Sequence, residues 1–479
     1  MKMLSLILWS CLFFVPADAQ QRDSKKEYDA FKKQAFQSYS DFRDKANAEY
    51  AKFMKQAWQK YNAEPAIAAP VPDPPVQPVY VSPDQPTDPK PLPYNRVVVI
   101  DSDIIRPEPV APIPASQNPV METVAFDFFG ANCSVRADKS NPVLMSGTDE
   151  NAVGAAWGQF SESRFNDMVT DCLRLRDELQ LCDWAYYLLT RKLAAAYYNA
   201  DNCAEGIVLQ TYLLTQSGYR IRLAQANGKL SILFPTETAI YRRMYTEIDG
   251  IRYYFLDPNF QGGSFYVCNF AFPGEHSFSL YMKTQPRLPV EETLCRIFTA
   301  QRHPEISVEM CSNQHLIDFY ATYPPCHWDV FALASLSDHK KETLYPVLKT
   351  AIAGKSEAEA ANILINFVQT AFEYQTDQEQ FGVERSLFAD ETLYYPYSDC
   401  EDRAILYSVL VRELLGLETV LLHYPTHLAT AVCFNNDVSG DYIDLDGRRY
   451  IVCDPTYSGA NIGQTMPGMD NQNAEIIIL

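Results

Sequence analysis

A cysteine, a histidine and an aspartate stand within one stretch of the 479-residue chain: Cys400 in SDCED, His427 in HLATAVCF and Asp454 in IVCDPTY. A thiol attacks carbonyl carbon efficiently only as thiolate, and an adjacent imidazole is the usual means of making one near neutral pH. A carboxylate that orients the imidazole and stabilises its charged form completes the set. These residue types in this order point to cysteine-based acyl transfer, with Cys400 as nucleophile, His427 as base and Asp454 as orienting acid. Rival assignments stand beside it. His423 competes for the base, and Cys433 and Cys453, on strands expected to be neighbours, suit a structural disulfide. A disulfide at Cys400 would abolish its nucleophilicity.

The elements around the three residues follow from local pattern. Ser398 to Glu401 fits a capping box with Ser398 as N-cap, which places Cys400 in the first helical turn. There the helix dipole and unpaired N–H groups favour a thiolate and an oxyanion. Asp399, Glu401 and Asp402 oppose the thiolate by like charge, so a close His427 is required. Ala404 to Leu415 is apolar on nearly all sides, the pattern of a helix at the centre of a core. His427, Ala429, Ala431 and Cys433 share one strand face, whose small residues leave room for a substrate chain or the nucleophile helix. Asp454 ends the β-rich run Tyr450–Cys453, and Pro455 terminates it.

The stretch has an echo upstream. Fifty-four positions separate Cys203 from Asp257, and fifty-four separate Cys400 from Asp454; Asp249-Gly250 and Asp446-Gly447 each lie forty-six after their cysteine. Gly218 and Gly416 end the two helices, and YYFLDPNF parallels RYIVCDPTY. A duplicated fold is expected. The histidine of the second copy is matched by Lys229 in the first, and a protonated ammonium cannot serve as imidazole does. The first copy is read as catalytically dead, with Cys203 buried or in a disulfide.

The order of cysteine at a helix start, histidine opening a strand and aspartate ending the next, with Asp402 two residues after the cysteine and Ala404 beyond, resembles the transglutaminase-like superfamily. The resemblance covers about residues 346–465, with a degenerate form over 165–260. It implies an α+β fold with a papain-like central helix against an antiparallel sheet, and it maps that family's nucleophile, base and acid onto Cys400, His427 and Asp454. Two departures are the long interval between His427 and Asp454 and the aspartate, Asp399, where a small residue is usual.

The rest of the chain supplies delivery and support. Residues 1–19, with a basic start, an apolar run and Ala17-Asp18-Ala19, read as a secretory signal peptide, so an exported location, periplasmic or extracellular, is expected; a lipoprotein reading through Cys11 is poorer because Trp9 fits badly and the apolar run continues past it. Residues 20–63 read as a long amphipathic helix in which Tyr28, Tyr39, Tyr50 and Tyr61 recur every eleven residues, as do Phe31, Phe42 and Phe53, and Ala35, Ala46 and Ala57. Eleven residues in three turns keep such a stripe nearly straight, and it must lie on something: the body of the chain, a second copy or a partner helix through residues 24–61. Residues 64–119 hold about half of the 31 prolines and read as an extended spacer, with RVVVI at Arg96–Ile100 as a short strand. A degenerate domain is expected over 120–285, a connecting region over 286–345 and the domain with the intact Cys-His-Asp set over 346–479.

Composition bounds the partners. A net charge of -20 argues against nucleic acid as a partner, since phosphate contacts need a basic face, and no later stretch is long and apolar enough to span a bilayer. Eleven cysteines remain after Cys11, an odd number that leaves at least one thiol free or paired between chains. His327 in PPCHWD stands alone and no Cys/His cluster has ligand spacing, so neither metal nor cofactor is expected. Two functions fit: an amide hydrolase or acyltransferase acting on a protein or peptide, or a non-catalytic scaffold or binding module that keeps the fold.

Overall fold

The structure is a computed structural model that describes residues 17–56, 58–70, 89–100, 105–116, 121–257 and 260–479. Most of residues 1–19, where a leader is expected, lies outside the described residues, as do Ala57 and parts of the proline-rich segment. The chain is α+β, and its architecture rests on two six-stranded sheets of matching order.

In the first sheet the order is Gln59–Asn62, Ser264–Cys268, Arg222–Ala226, Lys229–Pro235, Ile251–Phe255, Tyr245–Ile248. In the second it is Arg96–Val99, Glu475–Ile478, Glu418–Tyr424, His427–Cys433, Arg448–Cys453, Tyr442–Leu445. Each strand of one has its counterpart in the other, and the four pairings that join the second to the sixth strand of each order are antiparallel in both. Each sheet is preceded by a helix, Ala204–Gln216 or Cys400–Leu415. The hairpins that close the two copies turn at Asp249-Gly250 and Asp446-Gly447, all four residues at positive φ, the conformation of a two-residue turn that matches strand twist. Lys229 opens its strand just as His427 opens the equivalent one.

One edge strand of each sheet, Gln59–Asn62 or Arg96–Val99, comes from outside the repeat, and the second corrects the reading of 64–119 as a plain spacer. Its described parts lie along both sheets. Glu64 bridges Tyr245 and Ile67 bridges Tyr241, Leu92 N–H donates to Tyr442 O at 2.8 Å, and Arg96–Val99 pairs in parallel with Glu475–Ile478. Proline excludes a central strand but not an edge one, and the proline-free RVVV run takes that edge.

The N-terminal helix spans Ala17–Met54, ending earlier than its aromatic repeat suggests. The Trp58 indole N–H donates to Met54 O at 2.9 Å, and Tyr61 lies in the strand Gln59–Asn62 rather than on the helix. Only the C-terminal part of the stripe is buried. Ala46, Tyr50 and Met54 are in the core, whereas Tyr28, Phe31, Tyr39 and Phe42 are exposed. Tyr50 packs on Trp157 at 4.4 Å between ring centroids and edge-on against Phe270 and Phe272. Close approach to the helix Glu150–Phe160 depends on Gly154, where a Cβ would meet Lys55 Cγ at 2.5 Å and Ala51 O at 2.9 Å. Arg43 donates to Asn166 Oδ1 at 2.7 Å, and Asn47 exchanges hydrogen bonds with Gln216. Intrachain packing thus claims the end of the helix.

The connecting region holds a hairpin, Arg296–Thr299 with Ser307–Met310, flanked by the disulfide Cys295–Cys311. Cys433 and Cys453 are free thiols, against the disulfide considered for them. Their strands are neighbours, but Cys433 faces Tyr450 and Cys453 faces Thr430, so the two lie three residues apart along the ladder, roughly 10 Å, beyond disulfide reach.

The two halves of the aromatic stripe should behave differently on truncation. Tyr50→Ala is expected to cost about 3–5 kcal/mol in chemical denaturation, while Tyr28→Ala should stay within about 0.5 kcal/mol. Equal effects of the two changes would contradict this packing.

Candidate functional site

Cys400 is the first residue of its helix, and the cap is one residue later than the sequence suggests. Asp399 is the N-cap, and its N–H donates to Asp402 Oδ2 at 3.4 Å. Asp caps as well as Ser, and Ser398 is taken up elsewhere: Tyr397–Ser398 pairs in parallel with Glu373–Tyr374, and Ser398 Oγ accepts from Arg403 Nε at 3.1 Å. Asp402 thereby fills the place expected of Glu401. Glu401 is left to accept from Cys400 Sγ at 3.1 Å.

The helix is buried on every side from Cys400 to Val411, as its apolar run requires, and Gly416 closes it in the left-handed conformation with its N–H on Arg412 O. It packs with Leu428 and Val432. Ala429 and Ala431 belong to the cluster on the other face of the sheet, with Val420, Leu422 and Val452, so the small residues do not make room for the nucleophile helix. His427 shares their alternation but sits at the strand end, paired with Tyr424.

His427 Nε2 and Asp454 Oδ2 are 2.9 Å apart. Asp454 follows its strand directly, and its Oδ1 accepts from the N–H groups of Thr456 and Tyr457 at 2.9 and 3.2 Å, which fixes the carboxylate. Gln369, unforeseen from sequence, holds the same loop by donating to Asp454 O, Tyr457 O and Ala460 O. Burial alone would lower the His427 pKa. The Asp454 charge and hydrogen bond outweigh it, and the nearby Cys400 adds to them, so the imidazole is pushed up to about 10. Its other nitrogen, Nδ1, is buried without a hydrogen-bond partner. Cys400, His427 and Asp454 are 2%, 1% and 2% exposed.

His423, the rival for the base role, and the isolated His327 are placed elsewhere. His423 lies 3.5 Å from Glu475 and packs edge-on against Trp328; its partners do not include Cys400. His327 is bound to Asp329 at 2.7 Å and borders a cavity of about 560 Å³, lined also by Arg220, Glu275 and His276, that none of the three residues reaches. Because it lacks all three, we assign it no part in their chemistry. In the first copy, Cys203 is half-buried and free, and Sγ accepts from Gly206 N–H as an N-cap at 3.3 Å. That replaces the buried or disulfide-bonded state expected for it, while Lys229 is exposed.

Beside Cys400 the structure gathers acids that the sequence leaves scattered. Asp377 and Glu384 meet Asp399, Glu401 and Asp402. Burial, with the Asp399 charge beside it, pushes the Asp377 carboxyl up to about 9; burial raises Asp399 to about 6, and Glu401 and Asp402 are raised by burial and by Asp399. The acidic flanks of Cys400 were the only signal of this cluster. Asp377 and Glu384 carry none, since a loop distant in sequence brings them in.

Because the folded pKa of His427 lies above the ordinary value of about 6.5, the stability this imidazolium contributes is complete below that value. It is lost as pH rises through about 10. Asp454→Asn should bring the titration down, since the largest opposition to burial is then removed. An NMR titration of His427 checks both, and an ordinary midpoint in the unmodified protein would contradict the pairing. Comparison with family models, with curated proteins and with solved structures finds no match to this chain.

Proposed function

We propose that the protein is an exported thiol-dependent amide hydrolase or acyltransferase acting on a protein or peptide. The observation that carries this reading is the His427–Asp454 hydrogen bond of 2.9 Å, with the second imidazole nitrogen unpartnered and Cys400 close by at a helix N-terminus. The transglutaminase-like resemblance agrees with a helix set against an antiparallel sheet, and the leader at 1–19 supports export.

In the proposed reaction the Cys400 thiolate adds to the substrate carbonyl, and helix N-terminal N–H groups face the developing oxyanion. The His427 imidazolium gives its proton to the departing amine as the C–N bond breaks, leaving a thioester on Cys400 and a neutral imidazole. Water or an acceptor amine then attacks the thioester. Imidazole takes the proton of the attacking group and the thiolate leaves, which restores the starting state. Asp454 keeps the ring oriented throughout and stabilises its charge.

The second reading, a scaffold that retains the fold without catalysis, is favoured by the near-complete burial of all three groups. One experiment separates them. Under the hydrolase reading, iodoacetamide at neutral pH labels Cys400 in the folded protein, and turnover of a peptide amide falls at least about 10³-fold in Cys400→Ala while Cys203→Ala stays within about twofold. Labelling of Cys400 only after unfolding would establish the scaffold reading instead.

A further inference from the structure

We infer that the free edge of Arg96–Val99 is a binding site for an extended segment of another polypeptide, one that carries a lysine or arginine. The segment joins the six-stranded second sheet as a further strand and occupies the cavity of about 560 Å³ beside that edge.

Backbone groups carry the argument. Arg96–Val99 ends its sheet and pairs only with Glu475–Ile478, in parallel. Among the described residues no backbone hydrogen bond reaches its outer side. In a parallel pair alternate residues turn their N–H and C=O away from the partner, so this side presents donors and acceptors in strand register. The devices that usually close such an edge are missing. Val97, Val98 and Val99 follow one another without a proline or a charge, and Val97 and Val99 are 38% and 73% exposed.

The cavity lies against this edge and not against one face of the strand. Side chains alternate between faces, yet Val98, Val99 and Ile100, three in a row, all line it. Its far wall comes from the first repeat, in two segments around Glu237 and His276, so the edge opens into a trough. A trough of this volume suits a single chain, and its far wall obstructs the sheet of a second copy. That wall is firm. Phe278 N–H donates to Pro235 O at 3.2 Å and His276 N–H to Gly218 O at 3.0 Å, and Asp329, itself buried, binds both His327 and Tyr281. Little ordering is therefore needed when a ligand arrives.

Charge selects the occupant. Three carboxylates, Glu237, Glu275 and Asp329, line the cavity against one guanidinium, Arg220. Glu275 is met by Arg220 and Arg222 at 3.2 and 2.7 Å, and Asp329 by the hydrogen bonds above. Glu237 is exposed and forms no ion pair among the described residues. A lysine or arginine in the incoming segment supplies the missing partner, whereas an acidic segment meets like charge in a chain of net charge -20, which costs affinity. Two strands, Glu475–Ile478 and Glu418–Tyr424, separate the site from the strand of His427, so binding there requires no catalysis at Cys400.

The test uses the full chain and a set of fluorescein-labelled decapeptides of alternating valine and threonine, with a single lysine moved along the set. Fluorescence anisotropy should show saturable binding by at least one member. Glutamate in place of the lysine should weaken it about three- to tenfold. N-methylation of alternate nitrogens along one side of the peptide should weaken it at least about tenfold, since hydrogen bonds to the edge are lost, and along the other side much less. Glu237→Arg, at an exposed position, should reverse the preference between the lysine and glutamate peptides without moving the melting temperature. Val99→Lys should abolish binding of the lysine peptides, with circular dichroism confirming the fold, and Cys400→Ala should bind as the unmodified protein does. No saturable binding up to about 1 mM, or binding indifferent to both N-methylation and Val99→Lys, would overturn the proposal. A concentration-dependent dimer in sedimentation velocity that Val99→Lys dissolves would assign the edge to a second copy and overturn it as well.

Discussion

A buried imidazole stays charged only where a fixed carboxylate meets it, and the second repeat satisfies that condition at one point. Strand register brings His427 to the end of its strand and Asp454 to the end of the adjacent one. Two backbone N–H groups then hold Asp454, so that its remaining oxygen faces the ring. Every larger element serves this meeting. The sheet sets the spacing, the apolar helix fills one face and starts its first turn at Cys400, and the Gln369 amide fastens the loop that follows Asp454.

The first repeat shows what the same scaffold does without that charge. Its strand order and hairpin turns are kept, yet its cysteine only caps a helix and its lysine points into solvent. The fold is thus kept in both repeats and the His–Asp pair in one. The first copy has instead become a platform for the N-terminal helix, which it holds through Trp157, Phe270 and Gln216.

What could be read in advance was whatever depends on neighbours in sequence. The Asp-Gly turns, the repeat spacing, the helix start near Cys400 and the order of the three candidate residues are local or periodic signals, and all are present in the fold. The features that escaped are set at a distance. The helix ends at Met54 because Trp58 and Gln59–Asn62 find partners in the body, which no repeat of tyrosines encodes. Ala429 and Ala431 face away from the helix because both sides of that sheet are covered, so residue size could not tell which side was which. Asp377 and Glu384 join Asp399 through tertiary contact alone. The cap moved by one residue because Ser398 and Asp399 are equally good at it, and only strand pairing decided between them.

The wedged position of Glu475–Ile478 governs the order in which the second sheet assembles. It lies between Glu418–Tyr424 and Arg96–Val99, so segments more than three hundred residues apart must meet through a strand made after both. Loop-closure entropy delays such joints. During synthesis the valine-rich stretch Arg96–Val99 therefore waits without its partner, open to other chains, until Glu475–Ile478 arrives. The first sheet can close much sooner, since the partner of Gln59–Asn62 is Ser264–Cys268. The first repeat would then mature first, as a template beside which the one bearing Cys400 folds.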